Sequence, residues 1–365
     1  MAPLVSILIP AYNAERWIAD TIKSALNQAW PRKEIVVVDD GSTDQTLQVA
    51  RQFASKTVSI VTQKNQGASA ARNKAFELCQ GSYIQWLDAD DLLAPDKISK
   101  QMEAANECHS KRVLFSSAWG AFMYRVSKAQ FSPTSLWCNL SPVEWLLRKM
   151  GQNLHMQTAT WLVSRELTDA AGAWDTRLSL DDDGEYFCRV VLASDEIRFV
   201  PDAKVFYRQL GFDRLSSIGR SGKKLESQFL SINLHVSYLR SLEESERVRT
   251  ACVAYLQTWF GWFLGERPDL ARELEDLATS LGGRLKAPRL PWKYLWIQKL
   301  FGWTAAKRVR QRWNRYKSSA MIGWDKVLFR LKSETWQSGL EPAAANPAER
   351  ETGLSASLRD RYSSR

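Results

Sequence analysis

An α/β fold with a mainly parallel central sheet flanked by helices, continued by a helical C-terminal extension, is what this sequence predicts, and three observations predict it. Short apolar runs alternate with segments of helical periodicity as far as Ser117. The polar residues that directly follow two of those runs are acidic. Beyond Gly222 the apolar pattern is helical. Repeated strand, helix, strand units imply a parallel sheet wound by right-handed crossovers.

Taken in order, strand-like runs occupy residues 5–9, 34–38, 58–62, 83–87 and 113–115. Asn13 can cap the first helix, which places Trp17, Ile18, Ile22, Ala25 and Leu26 on one face at helical spacing. From 118 to 207 the pattern is less regular, with strands expected at 159–163, 197–200 and 203–207 and a helix near 184–193. Helical runs follow at 223–239, 247–264 and 269–281. The expected organisation is a principal domain over 1–222, a helical extension over 223–332 and a tail over 333–365. That tail is rich in Ser, Ala, Glu, Arg and Pro without apolar periodicity, so disorder is expected there.

Composition narrows the function classes. With 365 residues, 45% apolar and 25% charged, the chain lies within the range of globular proteins and outside the collagenous and low-complexity classes. Cys79, Cys108, Cys138, Cys188 and Cys252 are scattered without a C-x-x-C pair, which argues against a disulfide framework and against zinc. His109, His155 and His235 are equally isolated. The apolar start is interrupted by Pro10, Asn13, Glu15 and Arg16 and lacks a basic leader, so it reads as a first buried strand. No stretch approaches the roughly 20 apolar residues that span a bilayer. A cytoplasmic location is expected, with any membrane association peripheral, on the inner face of the cell membrane.

In sheets of this kind ligands bind outside the carboxyl ends of the strands. There the second strand runs into Asp39-Asp40-Gly41-Ser42 and the fourth into Asp88-Ala89-Asp90-Asp91. An isolated D-x-D is ordinarily turn and cap chemistry for the helix that begins near Pro95. A D-x-D at a strand end, paired with a second acidic strand end, points instead to a bound cation. Mg2+ and Mn2+ take oxygen ligands and keep several waters, so one or two Asp side chains plus a diphosphate suffice. Asp90 is the expected main ligand, with Asp88 turned toward a ribose or a metal-bound water.

Four runs, Val5-Ser6-Ile7-Leu8-Ile9-Pro10-Ala11-Tyr12-Asn13, Val37-Val38-Asp39-Asp40-Gly41-Ser42-Thr43-Asp44, Asn65-Gln66-Gly67 with Ala71-Arg72-Asn73, and Leu87-Asp88-Ala89-Asp90-Asp91, closely resemble the family 2 glycosyltransferases of GT-A fold, in order and in spacing. The resemblance covers roughly the first hundred residues. It implies an inverting, metal-dependent transfer of a sugar from a nucleotide diphosphate, a UDP-sugar by preference, to a hydroxyl of a saccharide or lipid-linked acceptor, in cell-surface polysaccharide or glycolipid synthesis. It further implies that Asp40, with Asp39 beside it, accepts a hydrogen bond from the base, that Pro10, Tyr12 and Glu15 line the nucleoside pocket, and that Arg72 flanks base or phosphate. Gly67 would permit a close backbone approach.

An inverting transfer needs a general base for the acceptor hydroxyl. In this family it is usually the Asp of a Glu-Asp pair shortly before an Arg. Here the stretch is Asp181-Asp182-Asp183-Gly184-Glu185, followed by Arg189, and counting back from Arg189 places Asp183 at the base position and Asp182 where Glu is common. The choice between the two stays open. Like-charge crowding is expected to raise the pKa of at least one of them. His155, Gln157 and Trp161 are candidates to shape the acceptor site, Trp161 equally a core residue, and the 208–217 loop could close over the diphosphate through Arg208 or Arg214. Two other readings are a sugar nucleotidyltransferase, whose Gly-rich phosphate loop Pro10-Ala11-Tyr12-Asn13 does not match, and a nucleotide-sugar-binding protein of the membrane surface without turnover.

Residues 284–332 form a separate block with fourteen Lys or Arg, one acid, Asp325, and five tryptophans. The whole chain is only +10, so the rest of it is slightly acidic. Trp292, Trp296, Leu300 and Trp303 follow one helical face. Tryptophan with basic residues suits an anionic membrane surface. The competing readings are a helix packed on the main domain and a nucleic-acid patch, and no nucleic acid is expected.

Overall fold

The computed structural model describes residues 2–209, 221–288 and 291–332. Arg214 and the 333–365 tail lie outside the described residues, as does the side chain of Trp303. The chain begins with β1 (Val5–Ala11), α1 (Ile18–Leu26), β2 (Lys33–Asp39), α2 (Thr46–Arg51), β3 (Val58–Thr62), α3 (Ala68–Leu78) and β4 (Tyr83–Trp86). Consecutive Ile, Leu and Val side chains in β1 and β2 are buried on both faces, as a covered parallel sheet requires. Then come β5 (Leu92–Leu93), α4 (Lys97–Asn106), β6 (Val113–Phe122), β7 (Gln130–Phe131), α5 (Pro142–Gly151), β8 (Val163–Ser164), α6 (Arg165–Ala171), α7 (Asp182–Ala193) and β9 (Glu196–Arg208). The remaining helices are α8 (Gly222–Leu242), α9 (Glu246–Phe263), α10 (Pro268–Ser280) and α11 (Leu295–Lys332).

The first sheet has the order β3-β2-β1-β4-β8, parallel except for β8. A second sheet, β5-β9-β6-β7, carries the parallel pair β6–β9. β1 lies between the two acidic strands. Asp40 N donates to Ala11 O (2.8 Å) on one side, and Leu87 N donates to Leu8 O (3.0 Å) on the other. The fold is therefore the mixed α/β architecture that was expected.

Four local expectations are corrected. Asn13 does not cap α1, whose N-cap is Trp17. Asn13 adopts φ 49°, and its side-chain oxygen accepts from Thr43 N (2.8 Å), so it ties the β1 tip to the loop after β2. The strand expected at 159–163 is largely a 3-10 turn, Thr158–Thr160, because Gln157 Oε1 accepts from Ala159 N and curls the chain before β8. The two short strands expected at 197–200 and 203–207 are one strand, β9, in which a register shift opposite Ser117 and Ala118 accommodates Pro201 and Asp202. Finally, Gly302 (φ 81°, ψ 167°) interrupts α11. The face from Trp292 to Trp303 is therefore not one continuous helix.

No clean core boundary falls at residue 222. One buried cluster contains Trp86 and Tyr186 together with Leu239, Tyr255 and Leu274 from the helical extension. No described helix is long and apolar enough to cross a membrane.

Candidate functional site

Helix α3 joins the two acidic strand tips. It begins at Gly67, whose φ of 94° favours glycine, while the space a side chain would enter there is open. The backbone conformation, rather than crowding, is what this position demands. Gly67 N donates to Asp40 Oδ2 (2.8 Å), Gln66 N to Asp40 Oδ1 (3.0 Å), and Gln63 Nε2 to the same oxygen (2.7 Å). Both oxygens of the buried Asp40 thus hold the 63–67 loop. Asp40, the residue expected to accept from the base, has this loop as its partner. Its neighbour Asp39 is equally buried, accepts from Thr62 Oγ1 (2.9 Å) through Oδ2, and leaves Oδ1 without a partner among the described residues. An unpaired buried carboxylate oxygen is costly, and a donor on a ligand would relieve it.

One turn further along α3, Arg72 is 6% exposed and spans two carboxylates. It donates to Asp88 Oδ1 through one terminal nitrogen (2.8 Å) and to Asp182 Oδ2 through the other (2.7 Å). Its guanidinium lies 4.4 Å from the centre of the Trp174 ring. Asn73 fixes that ring by accepting from Trp174 N (2.8 Å) and donating to Trp174 O (3.0 Å). Burial opposes the charge on Arg72, but Asp182 and Asp88 hold it protonated, above its ordinary value. Arg72, the residue expected to flank base or phosphate, therefore bridges two carboxylates.

The turn after β4 is gripped from beneath. Arg208 N donates to Asp91 Oδ1 (2.8 Å), Arg208 Nε to the backbone oxygen of Asp90 (2.8 Å), and Gln157 Nε2 to Asp91 Oδ2. Burial, then the Asp90 and Asp88 charges, push Asp91 well above the usual carboxylate range. Asp91 is thus a buried anchor, and Asp88 and Asp90 are the partly exposed carboxylates at the tip. Among the described residues no set of three or more His, Cys, Asp or Glu converges as a metal cage. Two carboxylates with waters and a diphosphate still form the oxygen-rich, incomplete donor set that Mg2+ or Mn2+ accepts.

The three aspartates at the start of α7 are separated by their partners. Asp181 (φ 59°) points to α8, accepting from Ser231 Oγ and lying 3.8 Å from His235 Nδ1. Asp182 is held by Arg72 and by Ser69 Oγ (3.3 Å). Asp183 accepts from Gly184 N (2.9 Å) and Thr158 Oγ1 (3.3 Å). Burial raises Asp183 to about 7, with the Asp182 and Asp181 charges adding to it and Arg72 opposing. Glu185 is buried and paired with Arg189 (2.7 Å) and Tyr238 Oη (2.6 Å).

Other expected positions fall as follows. Pro10 is partly buried and the Tyr12 ring is 44% exposed at the β1 tip. Glu15 Oε2 accepts from Gln45 N (3.0 Å), so it ties the chain after β1 to the loop before α2. Gln157 is spent on Asp91. Trp161 is fully buried against Trp145 and Phe187, which settles it as core. His155 packs against Trp119. Sequence reasoning missed Asn73, Trp174, Ser69 and Thr158. Only Asn73 carried a signal, through its place beside Arg72.

Residues 6–128 match the family described as Glycosyl transferase family 2. An uncharacterized glycosyltransferase of Haemophilus influenzae is 41% identical over 110 residues, 29% of this chain and 44% of the relative. Chondroitin synthase of Escherichia coli is 46% identical over 98 residues, 26% of this chain and 14% of the relative. The chain thus spans less than half the length of the curated relatives it matches. Among solved structures, S. aureus TarS in complex with UDP-GlcNAc superposes with a TM-score of 0.61 over 76% of this chain and 81% of that one, at 19% identity. That likeness is one of fold.

Proposed function

With residues 6–128 a glycosyl transferase family 2 domain, we propose that the chain is an inverting, metal-dependent glycosyltransferase. It moves a sugar from a nucleotide diphosphate, UDP by preference, to a hydroxyl of a saccharide or lipid-linked acceptor in cell-surface polysaccharide or glycolipid synthesis. The observation that carries this reading is the Arg72 bridge. One guanidinium joins Asp88, at the donor-side tip of β4, to Asp182, the neighbour of a carboxylate raised to about 7.

Each residue then has a task. Asp39 Oδ1 accepts the imide N–H of the base, and the exposed Tyr12 ring offers a face for it to stack on. Asp90, with Asp88 beside it, would hold Mg2+ or Mn2+, which when bound neutralises charge on the departing diphosphate. Asp183 takes the proton of the acceptor hydroxyl as that oxygen attacks the anomeric carbon from the side opposite the nucleotide, which inverts the configuration. The work would be done in the cytoplasm at the inner face of the membrane, with residues 284–332 bringing the protein to an anionic lipid surface.

UDP release from UDP-GlcNAc with Mn2+ tests the reading. Asp90→Ala is expected to abolish it, and activity retained on adding metal would remove Asp90 as the ligand. Asp39→Asn is expected to weaken UDP binding about tenfold or more, since the acceptor aimed at the base N–H is replaced by an amide. Unchanged UDP affinity by calorimetry would return the base contact to other groups.

A further inference from the structure

Past Gly302, α11 exposes Val309, Trp313, Tyr316, Trp324, Val327 and Leu331, each at least 42% accessible. With Ala320 filling the gap, these recur every three or four residues and form one stripe along the helix. At 3.6 residues per turn, Asp325 and Phe329 fall on the opposite side. That side is docked on the main domain. Asp325 Oδ2 accepts from Tyr124 N (2.9 Å), its Oδ1 accepts from Arg125 Nε (2.7 Å), and the Phe329 ring packs on Tyr124 (6.0 Å). The stripe therefore faces outward by construction. Between the two sides lie Arg308, Arg312, Lys326 and Arg330 on one flank and Arg310 and Lys317 on the other.

We propose that this outer stripe lies in the headgroup region of an anionic bilayer, with Asp325 as the pin that sets the catalytic cleft at a fixed height above it. The proposal deepens the membrane reading of residues 284–332 given above. Charge selects the occupant. A second copy of the helix would set two rows of like charge side by side, at a cost that grows as the helices approach. A nucleic acid would neutralise the cations yet leave the tryptophans and aliphatic side chains wet. An anionic lipid surface meets both needs, since Trp favours the interface and each basic residue near the surface adds attraction. The pin reaches the chemistry through a short chain of contacts. Tyr124 packs on Trp17 (5.8 Å), Trp17 lies under Arg208 (4.2 Å), and Arg208 grips the Asp90–Asp91 turn.

The test uses the full chain and vesicles of phosphatidylcholine with or without about 30% phosphatidylglycerol. Co-sedimentation is expected with the anionic vesicles only, weakening with salt, and about tenfold weaker or more for Trp313→Ser/Trp324→Ser. Equal binding by that variant overturns the proposal. So does a dimer in sedimentation equilibrium that the variant dissolves, or retention of polyuridylate with no vesicle binding. Asp325→Asn is expected to keep vesicle binding while the Tyr124 and Arg125 amides exchange hydrogen faster, and unchanged exchange overturns the pin. UDP release measured without vesicles reports on the enzyme separately, so loss of one activity does not pass for loss of the other.

Discussion

Arg72→Ala is expected to lower sugar transfer by about a hundredfold or more and to cost several degrees in melting temperature. Removing the guanidinium leaves Asp88 and Asp182, its partners at 2.8 and 2.7 Å, without their shared cation. Breaking a buried pair by deleting one partner typically costs about 3–5 kcal/mol, because the charge left behind stays desolvated. The two partners here keep some solvent contact, so the lower end of that range is the better guide. Activity falls for a second reason: Asp88 and the start of α7 lose the member that holds them at one separation, and small displacements in such sites are expensive. Arg72→Lys should recover part of the stability but little of the activity, since an ammonium cannot span both carboxylates. The two effects are separable by thermal unfolding and by UDP release at a temperature well below both transitions. Wild-type turnover in Arg72→Ala would show the bridge to be dispensable.

How much of this was legible in the sequence depends on the range of the interactions. β1, β2 and β4 declare themselves through local apolar runs, and the acids at their tips sit where parallel sheets bind ligands. The helices α8, α9 and α10 follow from periodicity in the same way. Local signals failed where a distant side chain decided the outcome. Asn13 looks like a cap in sequence, but Thr43 claims its oxygen, and Gln157 turns a strand-like run into a 3-10 turn. The division of labour within the acidic pairs lay further out of reach. Asp39 and Asp40 are neighbours of one type, separated only by which of them the 63–67 loop occupies. Asp182 and Asp183 are separated by Arg72, more than a hundred residues earlier in the chain. Spacing placed the carboxylates at the strand tips and the start of α7, and tertiary hydrogen bonds gave each its partners.

That assignment makes Asp183→Asn the most informative substitution at the acceptor side. Transfer is expected to fall about a thousandfold, within the span usual for losing a general base, while UDP affinity measured by thermal shift stays close to wild type because no donor-side contact is touched. In the wild-type protein, transfer should rise with pH and level off above about 7, the value to which burial and the Asp182 and Asp181 charges bring Asp183. Asp182→Asn removes one of those charges, so the rise should move to lower pH without reaching the ordinary carboxylate value, burial being the larger cause. The same shift fixes the sign of a stability effect. Asp183 holds its proton more tightly folded than unfolded, where its value is near 3.8, so its ionisation takes stability from the fold progressively between about 4 and about 7. Asparagine carries no charge at any pH in that range. Asp183→Asn should therefore melt above wild type at pH 8, and the difference should shrink as the pH is lowered through that window. A variant that is slower but no more stable at pH 8 would mean that Asp183 is not the strained carboxylate, and a normal transfer rate would pass the role of base to Asp182.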